Sequence, residues 1–319
     1  MPLMSESSYK RPNWLFNGHL ETIYPSLFRT VNIQNPVRER IETPDNDFLD
    51  LDWYRSGSDR LVIISHGLEG NSRRPYMLGM AREFILRGFD VLSWNFRGCS
   101  EELNKSVIFY HSGATYDLDT VVAHADKSYG EINLVGFSLG GNLTLKYLGE
   151  KQSTNPKLKK AVAVSVPLDL AKSCEKISTG ENIIYSKRFL TTLKEKVMRK
   201  SDMFPGQIPV ELLRRTLTLR QFDDFFTGPL HGFSDAAEYY DVNSSLQFLD
   251  RIEIPTLVLN ARNDPFLSDT CFPVQLANRL DLVHFEFPRH GGHVGFVGPS
   301  TEKSYYSELR AVEFITRDL

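Results

Sequence analysis

Apolar residues along this chain come in short continuous runs, separated by stretches with a helical period. The first two runs stand apart from the rest. Residues 37–43 and 48–55 carry strand-forming side chains around Pro44-Asp45-Asn46-Asp47, a turn cluster, and predict an antiparallel hairpin. From residue 61 the pattern changes. Leu61-Val62-Ile63-Ile64 ends at His66-Gly67, and a helix is expected over about 75–87, where Met77, Met80, Phe84 and Ile85 share one face. Val91-Leu92-Ser93-Trp94 is the next strand. A helix over about 116–126 leads into Ile132-Asn133-Leu134-Val135, and another over about 139–148 leads into Ala161-Val162-Ala163-Val164. Continuous apolar strands between helices are what a parallel sheet covered on both faces requires, because neither face of such a strand meets water. The prediction is an α/β protein with a mostly parallel, doubly wound sheet and an antiparallel hairpin at its N-terminal edge.

The alternation breaks after Asp169. Residues 171–250 contain no strong strand and read as helical patterns rich in aromatic side chains, among them Phe189, Phe204, Phe222, Phe226, Tyr239 and Tyr240. Sheet signals resume at Thr256-Leu257-Val258-Leu259 and over 283–287, and a last helix is expected from about residue 303 to the end. The expectation is therefore a single domain over 1–319, with residues 171–250 as a helical cap, or lid, inserted within it.

Composition narrows the partners. With 319 residues, 41% of them hydrophobic and 24% charged, the chain has the profile of a folded globular protein rather than a disordered one. Its 37 Lys and Arg against 40 Asp and Glu give a net charge of −3, with no run of five or more like charges, so nothing marks a nucleic-acid footprint. No stretch of 18 apolar residues predicts an integral membrane segment, and the N-terminus lacks the apolar core of a signal peptide. Cys99, Cys174 and Cys271 are scattered and form no C-x-x-C pair. These features predict a cytoplasmic protein.

The chemistry begins where the run through Val135 continues as Gly136-Phe137-Ser138-Leu139-Gly140-Gly141 and then turns helical. This is G-x-S-x-G between strand and helix, the nucleophile elbow. The turn is sharp, and Gly136 and Gly140 leave room where a Cβ would clash. Ser138 is thus the candidate nucleophile, with the Leu139 N–H beside it to receive an oxyanion. A serine hydroxyl needs a base, and the base needs a carboxylate to orient it. In this fold the order is Ser, acid, His. Asp264 follows the strand 256–260 and is the candidate acid; Asp169, just past the strand before it, is the rival. Among eight histidines, His290 and His293 lie in the loop after the last strand, in Arg289-His290-Gly291-Gly292-His293. His293 is chosen as base because Gly291 and Gly292 let that loop approach Ser138. Two histidines without a third suitably spaced ligand make a poor metal site, so no metal or other cofactor is expected. The second oxyanion donor is expected from His66-Gly67-Leu68-Glu69-Gly70, at the Leu68 N–H, with His66 holding the loop's shape.

Seven segments in order, from Asn17-Gly18-His19-Leu20-Glu21-Thr22 through the His66 and Ser138 motifs to Asn260-Ala261-Arg262-Asn263-Asp264-Pro265-Phe266 and Gly291-Gly292-His293-Val294-Gly295-Phe296, resemble the YheT-like branch of the α/β-hydrolases. That branch is similar to the medium-chain fatty-acid ethyl ester synthase/esterases and to α/β-hydrolase-domain lipases. The resemblance implies carboxylic-ester hydrolysis with Ser138, Asp264 and His293 as triad. Two positions depart from it: Glu21, where the family usually has Gln, and Asn263, where it usually has Asp. Neither is in the triad, though Asn263 adjoins Asp264. The expected substrate is a small ester with an apolar, short- to medium-chain acyl group. Two alternatives stay open: an acyltransferase using the same triad with an alcohol as acceptor, and a non-catalytic lipid-binding or regulatory homologue closed by its lid.

Overall fold

The computed structural model describes residues 3–4, 7–151, 155–298 and 304–317. Eight strands form one sheet in the order β1-β2-β4-β3-β5-β6-β7-β8. They are β1 (Val37–Glu42), β2 (Phe48–Tyr54), β3 (Arg60–Ser65), β4 (Asp90–Asn95), β5 (Glu131–Phe137), β6 (Leu158–Val164), β7 (Thr256–Leu259) and β8 (Val283–Glu286). The predicted hairpin is β1 and β2, antiparallel, and β2 pairs antiparallel with β4. Every remaining pair is parallel. The central strands are mostly apolar because both faces are covered: on β3, Leu61 and Ile63 join one core cluster, while Val62 and Ile64 join the other with Phe84 and Phe314 across that face.

Helices α2 (Pro75–Ile85), α3 (Thr115–Asp126) and α4 (Leu139–Lys151) follow β3, β4 and β5, and a last helix spans Tyr306–Thr316. The predicted start of that helix at residue 303 lies outside the described residues. Strand β6 begins at Leu158, three positions before the apolar run that marked it, because Lys159 and Lys160 interrupt the pattern at its exposed end.

The short helix Val274–Ala277 and, more important for the site, a helix before the sheet went unforeseen. α1 (Gly18–Phe28) is capped by the Asn17 side chain, which accepts from the Leu20 N–H, but Pro25 inside it reads as a breaker and hides it from a pattern search.

Between β6 and β7 the described residues hold no strand. They contain α5 (Leu170–Ile177), the 21-residue α6 (Ile183–Met203) and shorter helical turns as far as Arg251. A third apolar cluster gathers here around Val197, Phe222 and Phe226, and it reaches Phe109 and Phe266 of the sheet layer. Among the described residues, no helix is long and apolar enough to cross a membrane.

Candidate active site

Ser138 occupies the single position between β5 and α4, and its φ of 52° is in the left-handed region that side-chain-bearing residues rarely adopt. Its N–H donates to the Val164 carbonyl at 2.9 Å, which holds the turn against β6. The flanking glycines are obligatory. A Cβ on Gly136 would stand 2.3 Å from the Gly140 carbonyl oxygen, and one on Gly140 would stand 2.4 Å from the His66 oxygen.

Asp264 sits in the turn after β7, buried. Its Oδ1 accepts the Phe266 N–H at 2.8 Å, which leaves Oδ2 to meet His293 Nδ1 at 2.8 Å. His293 Nε2 lies 3.0 Å from Ser138 Oγ. A carboxylate can only accept, so Nδ1 is assigned as the donor to Asp264, and Nε2 is left to accept from the Ser138 hydroxyl. Three residues far apart in sequence thus meet in one hydrogen-bonded relay. Asp169 is not part of it; its side chain caps α5 by accepting from the Lys172 N–H at 2.9 Å.

The loop after β3 is fixed from four sides. His66 Nδ1 donates to the Gly67 carbonyl at 2.8 Å, and Nε2 accepts the Phe96 N–H at 3.1 Å. Burial pushes this imidazole down to about 3, so it stays neutral and keeps both bonds. The Gly67 N–H donates to the Tyr76 hydroxyl at 3.0 Å and the Glu69 N–H to the Tyr110 hydroxyl at 2.9 Å. Leu68 is thereby held between two anchored neighbours. The loop passes close to the elbow: a Cβ on Gly67 would lie 3.2 Å from Ser138 Cβ. Leu139 is the first residue of α4, where no preceding helical turn can take its N–H.

Glu69 has φ 51° and is gripped from the opposite side. Lys196, on α6, places Nζ 2.6 Å from Glu69 Oε1 and 3.4 Å from Cys99 Sγ, and the Tyr110 hydroxyl donates to the same Oε1 at 2.7 Å. Burial alone would lower the Lys196 ammonium, but Cys99 and Glu69 more than reverse it, so its pKa is raised. Burial pushes the Cys99 thiol up to about 12 and keeps it a neutral thiol. Sequence reasoning missed this ion pair, because nothing local connects residue 69 to residue 196.

It also missed the role of α1. The Glu21 carboxylate, fully buried, accepts the Gly291 N–H at 2.6 Å and the Asn263 Nδ2 amide at 2.9 Å through Oε2. Asn263 Oδ1 accepts the Gly292 N–H at 3.1 Å, and Thr22 Oγ1 accepts the His293 N–H at 2.8 Å. α1 therefore ties the loop of Asp264 to the loop of His293. Gly292 has φ 59°, and a Cβ there would fall 2.8 Å from the Gly18 oxygen. His290 is turned toward Glu21, with Nδ1 4.0 Å from Oε1. Among the described residues no group of three or more His, Cys, Asp or Glu is placed to hold a metal ion.

Ser138, His293, Leu68 and Leu139 all open on a cavity of about 500 Å³. Its walls are mostly apolar, with Ile177, Phe189, Leu193, Leu219 and Phe222 from the segment between β6 and β7. Asp223 also reaches it; burial pushes that carboxyl up to about 6, and the Tyr240 hydroxyl donates to it.

Sheet order, elbow and relay define an α/β hydrolase, and the chain belongs to the alpha/beta hydrolase fold family, which matches residues 60–298. Within that family it falls in the YheT-like branch. It is 36% identical over 291 residues to YheT of Escherichia coli K12, whose name carries the word esterase, covering 88% of this chain and 85% of that one. It is 29% identical over 330 residues to phospholipase ABHD3 of Homo sapiens, covering 98% of this chain and 80% of that protein. Against the monoacylglycerol lipase of Saccharomyces cerevisiae identity is 29% over 282 residues, 83% of this chain and 60% of the lipase. Among solved structures, the Pyrococcus furiosus esterase Pf2001 shares the fold, with a TM-score of 0.61 at 20% identity over 91% of this chain and 95% of that chain.

Proposed function

We propose that this protein is a carboxylic ester hydrolase that works through an acyl-enzyme on Ser138, with an apolar, short- to medium-chain acyl group as its preferred cargo. The carrying observation is the relay of 3.0 and 2.8 Å from Ser138 through His293 to Asp264, set in the wall of an apolar cavity. Names of similar proteins, which include esterase, phospholipase and monoacylglycerol lipase, support the same reaction class.

Ser138 Oγ attacks the ester carbonyl as His293 Nε2 takes its proton, and Asp264 stabilises the imidazolium through Nδ1. The Leu68 and Leu139 N–H groups receive the oxyanion. On collapse the carbonyl–alkoxy bond breaks, and His293 returns the proton to the departing alcohol. Water, deprotonated by the same imidazole, then attacks the acyl-enzyme, and the acid leaves. The helices between residues 171 and 250 serve as a cap within a single domain and supply the apolar walls for the acyl chain. No cofactor takes part. Three free cysteines suit a cytoplasmic setting.

Turnover of a p-nitrophenyl ester series from acetate to palmitate tests this on wild type and Ser138→Ala. A maximum at a short or medium chain is expected, with a fall of about 10⁴-fold or more in the variant. Equal low rates in both proteins would overturn the assignment and return the non-catalytic lipid-binding alternative. A new ester appearing when an alcohol is supplied would assign acyl transfer instead.

A further inference from the structure

Around the opening of the cavity, large apolar side chains stand in water. At the end of α1, Leu27 is 60% and Phe28 65% exposed; at the start of α6, Ile183 is 42% and Ile184 73% exposed. Leu27 and Ile184 also line the cavity, so the two helix ends flank its mouth. The two helices also touch at their starts, where the His19 ring of α1 stacks on the Tyr185 ring of α6 at 5.8 Å and 10°. Phe28 is held from behind by Tyr24, whose ring lies 5.2 Å away and is itself braced edge-on by Trp14 at 4.5 Å. Single exposed apolar residues are ordinary on a protein surface; two exposed pairs, each with one member lining an apolar cavity, are not.

Charge indicates what covers them. One turn beyond the two isoleucines, Lys187 and Arg188 are exposed, and neither forms an ion pair among the described residues. Acidic groups near this rim are spoken for: Glu181 pairs with Lys176 at 2.8 Å, and Glu21 is buried. The whole chain is acidic, with a net charge of −3, so this face is a local exception. Apolar side chains backed by cations at the spacing of one helical turn fit an interface where acyl chains lie below a layer of anionic headgroups.

We propose that this rim docks on the surface of anionic lipid aggregates, with Leu27, Phe28, Ile183 and Ile184 among the acyl chains and Lys187 and Arg188 at headgroup level. An ester in the aggregate then enters the cavity without crossing water. That last step rests on the hydrolase reading; the docking does not.

Cosedimentation with vesicles tests it, using phosphatidylcholine alone and phosphatidylcholine with about one third phosphatidylglycerol. The proteins are wild type, the double variant Phe28→Asp/Ile183→Asp and the single variant Lys187→Gln. None of the substituted residues lines the cavity, so turnover of a water-soluble short ester is expected to stay at the wild-type level. Wild type is expected to bind anionic vesicles more tightly than neutral ones. The double variant should lose about tenfold or more in affinity, and Lys187→Gln should reduce the preference for anionic lipid. Wild type remaining in the supernatant with anionic vesicles would overturn the proposal, as would variants that bind like wild type. A concentration-dependent dimer in light scattering, abolished by the double variant, would assign the rim to a second copy of the chain instead. Binding without turnover of any ester would leave the docking intact and sink the hydrolase reading; turnover without binding would do the reverse.

Discussion

Replacing Lys196 by Met tests whether the helical segment over the site controls the loop that carries the Leu68 N–H. Met keeps most of the apolar stem and removes the charge, leaving the Glu69 carboxylate with the Tyr110 hydroxyl alone. At 2.6 Å the ion pair has about 6 kcal/mol of gross attraction at an effective dielectric of about 20, most of which offsets desolvation of the two ions. Removing one partner is the costly change, typically about 3–5 kcal/mol, because the other charge is stranded. Glu69 is 11% exposed on the cavity side, where water can reach it, so the expected loss is about 3 kcal/mol. Lys196→Met combined with Glu69→Gln removes both charges, and the Gln side chain still accepts from Tyr110. The double variant should recover about 2 kcal/mol of that loss. Catalysis should follow the loop rather than the global stability: kcat is expected to fall about 10- to 100-fold in Lys196→Met with a smaller change in KM, since an oxyanion donor acts in the transition state. Urea unfolding of the four proteins of the cycle gives the first quantity, and saturation kinetics on one p-nitrophenyl ester gives the second. A loss below about 1 kcal/mol with no recovery in the double variant, or an unchanged kcat, would refute the coupling.

Acid should destabilise the fold through its buried imidazoles. Burial lowers His66 to about 3 and holds His111 well below 6.5, so below pH 6.5 the unfolded chain takes up protons that the folded chain refuses. Their share of the stability should therefore drop as pH falls from about 6.5 toward 4, by roughly 1 kcal/mol per pH unit for each, while Asp117 and Asp223, which burial raises to about 6, act in the opposite direction; a His66→Gln variant whose urea midpoint varies with pH just as that of wild type does would contradict the assignment of a neutral His66. Asn263→Asp alone would set a second carboxylate 2.9 Å from Glu21 and should lower both stability and kcat, by about 2–3 kcal/mol in the former. Adding Glu21→Gln should restore most of both, since one amide again faces one carboxylate; a double variant no better than the single would show that the contact is not what holds the loops.

What was legible in the sequence was whatever is encoded locally. The parallel strands announce themselves because most carry continuous apolar runs, and Ser138 because strand, glycines and helix are contiguous. Asp264 and His293 could be chosen because fold order and strand ends restrict where an acid and a base can stand. The segment from 171 to 250 was readable as helical but not as a set of contacts. Lys196 sits 127 positions from Glu69, on a helix whose pattern marks only which face is buried. α1 was lost for a different reason. Pro25 masks it, although Asn17 was in place as its cap and Glu21 in its first turn.

The two departures from the family pattern look independent in the sequence, 242 positions apart, yet in the fold they touch. The resemblance implies a Gln and an Asp at these two positions, where this chain has a Glu and an Asn. The contact still joins one amide donor to one carboxylate acceptor, and the local charge is unchanged; only the side of the contact that holds the carboxylate has moved. The move has a consequence for the loops. In this arrangement the charged acceptor belongs to α1, so the Gly291 N–H of the His293 loop donates to the carboxylate directly, while the Gly292 N–H donates to the neutral Asn263 oxygen. Hydrogen bonds to charged acceptors are the stronger kind. The firmer hold on the His293 loop therefore comes from α1, a helix that contributes no member of the relay, and the geometry of the relay depends on a segment that precedes the sheet altogether.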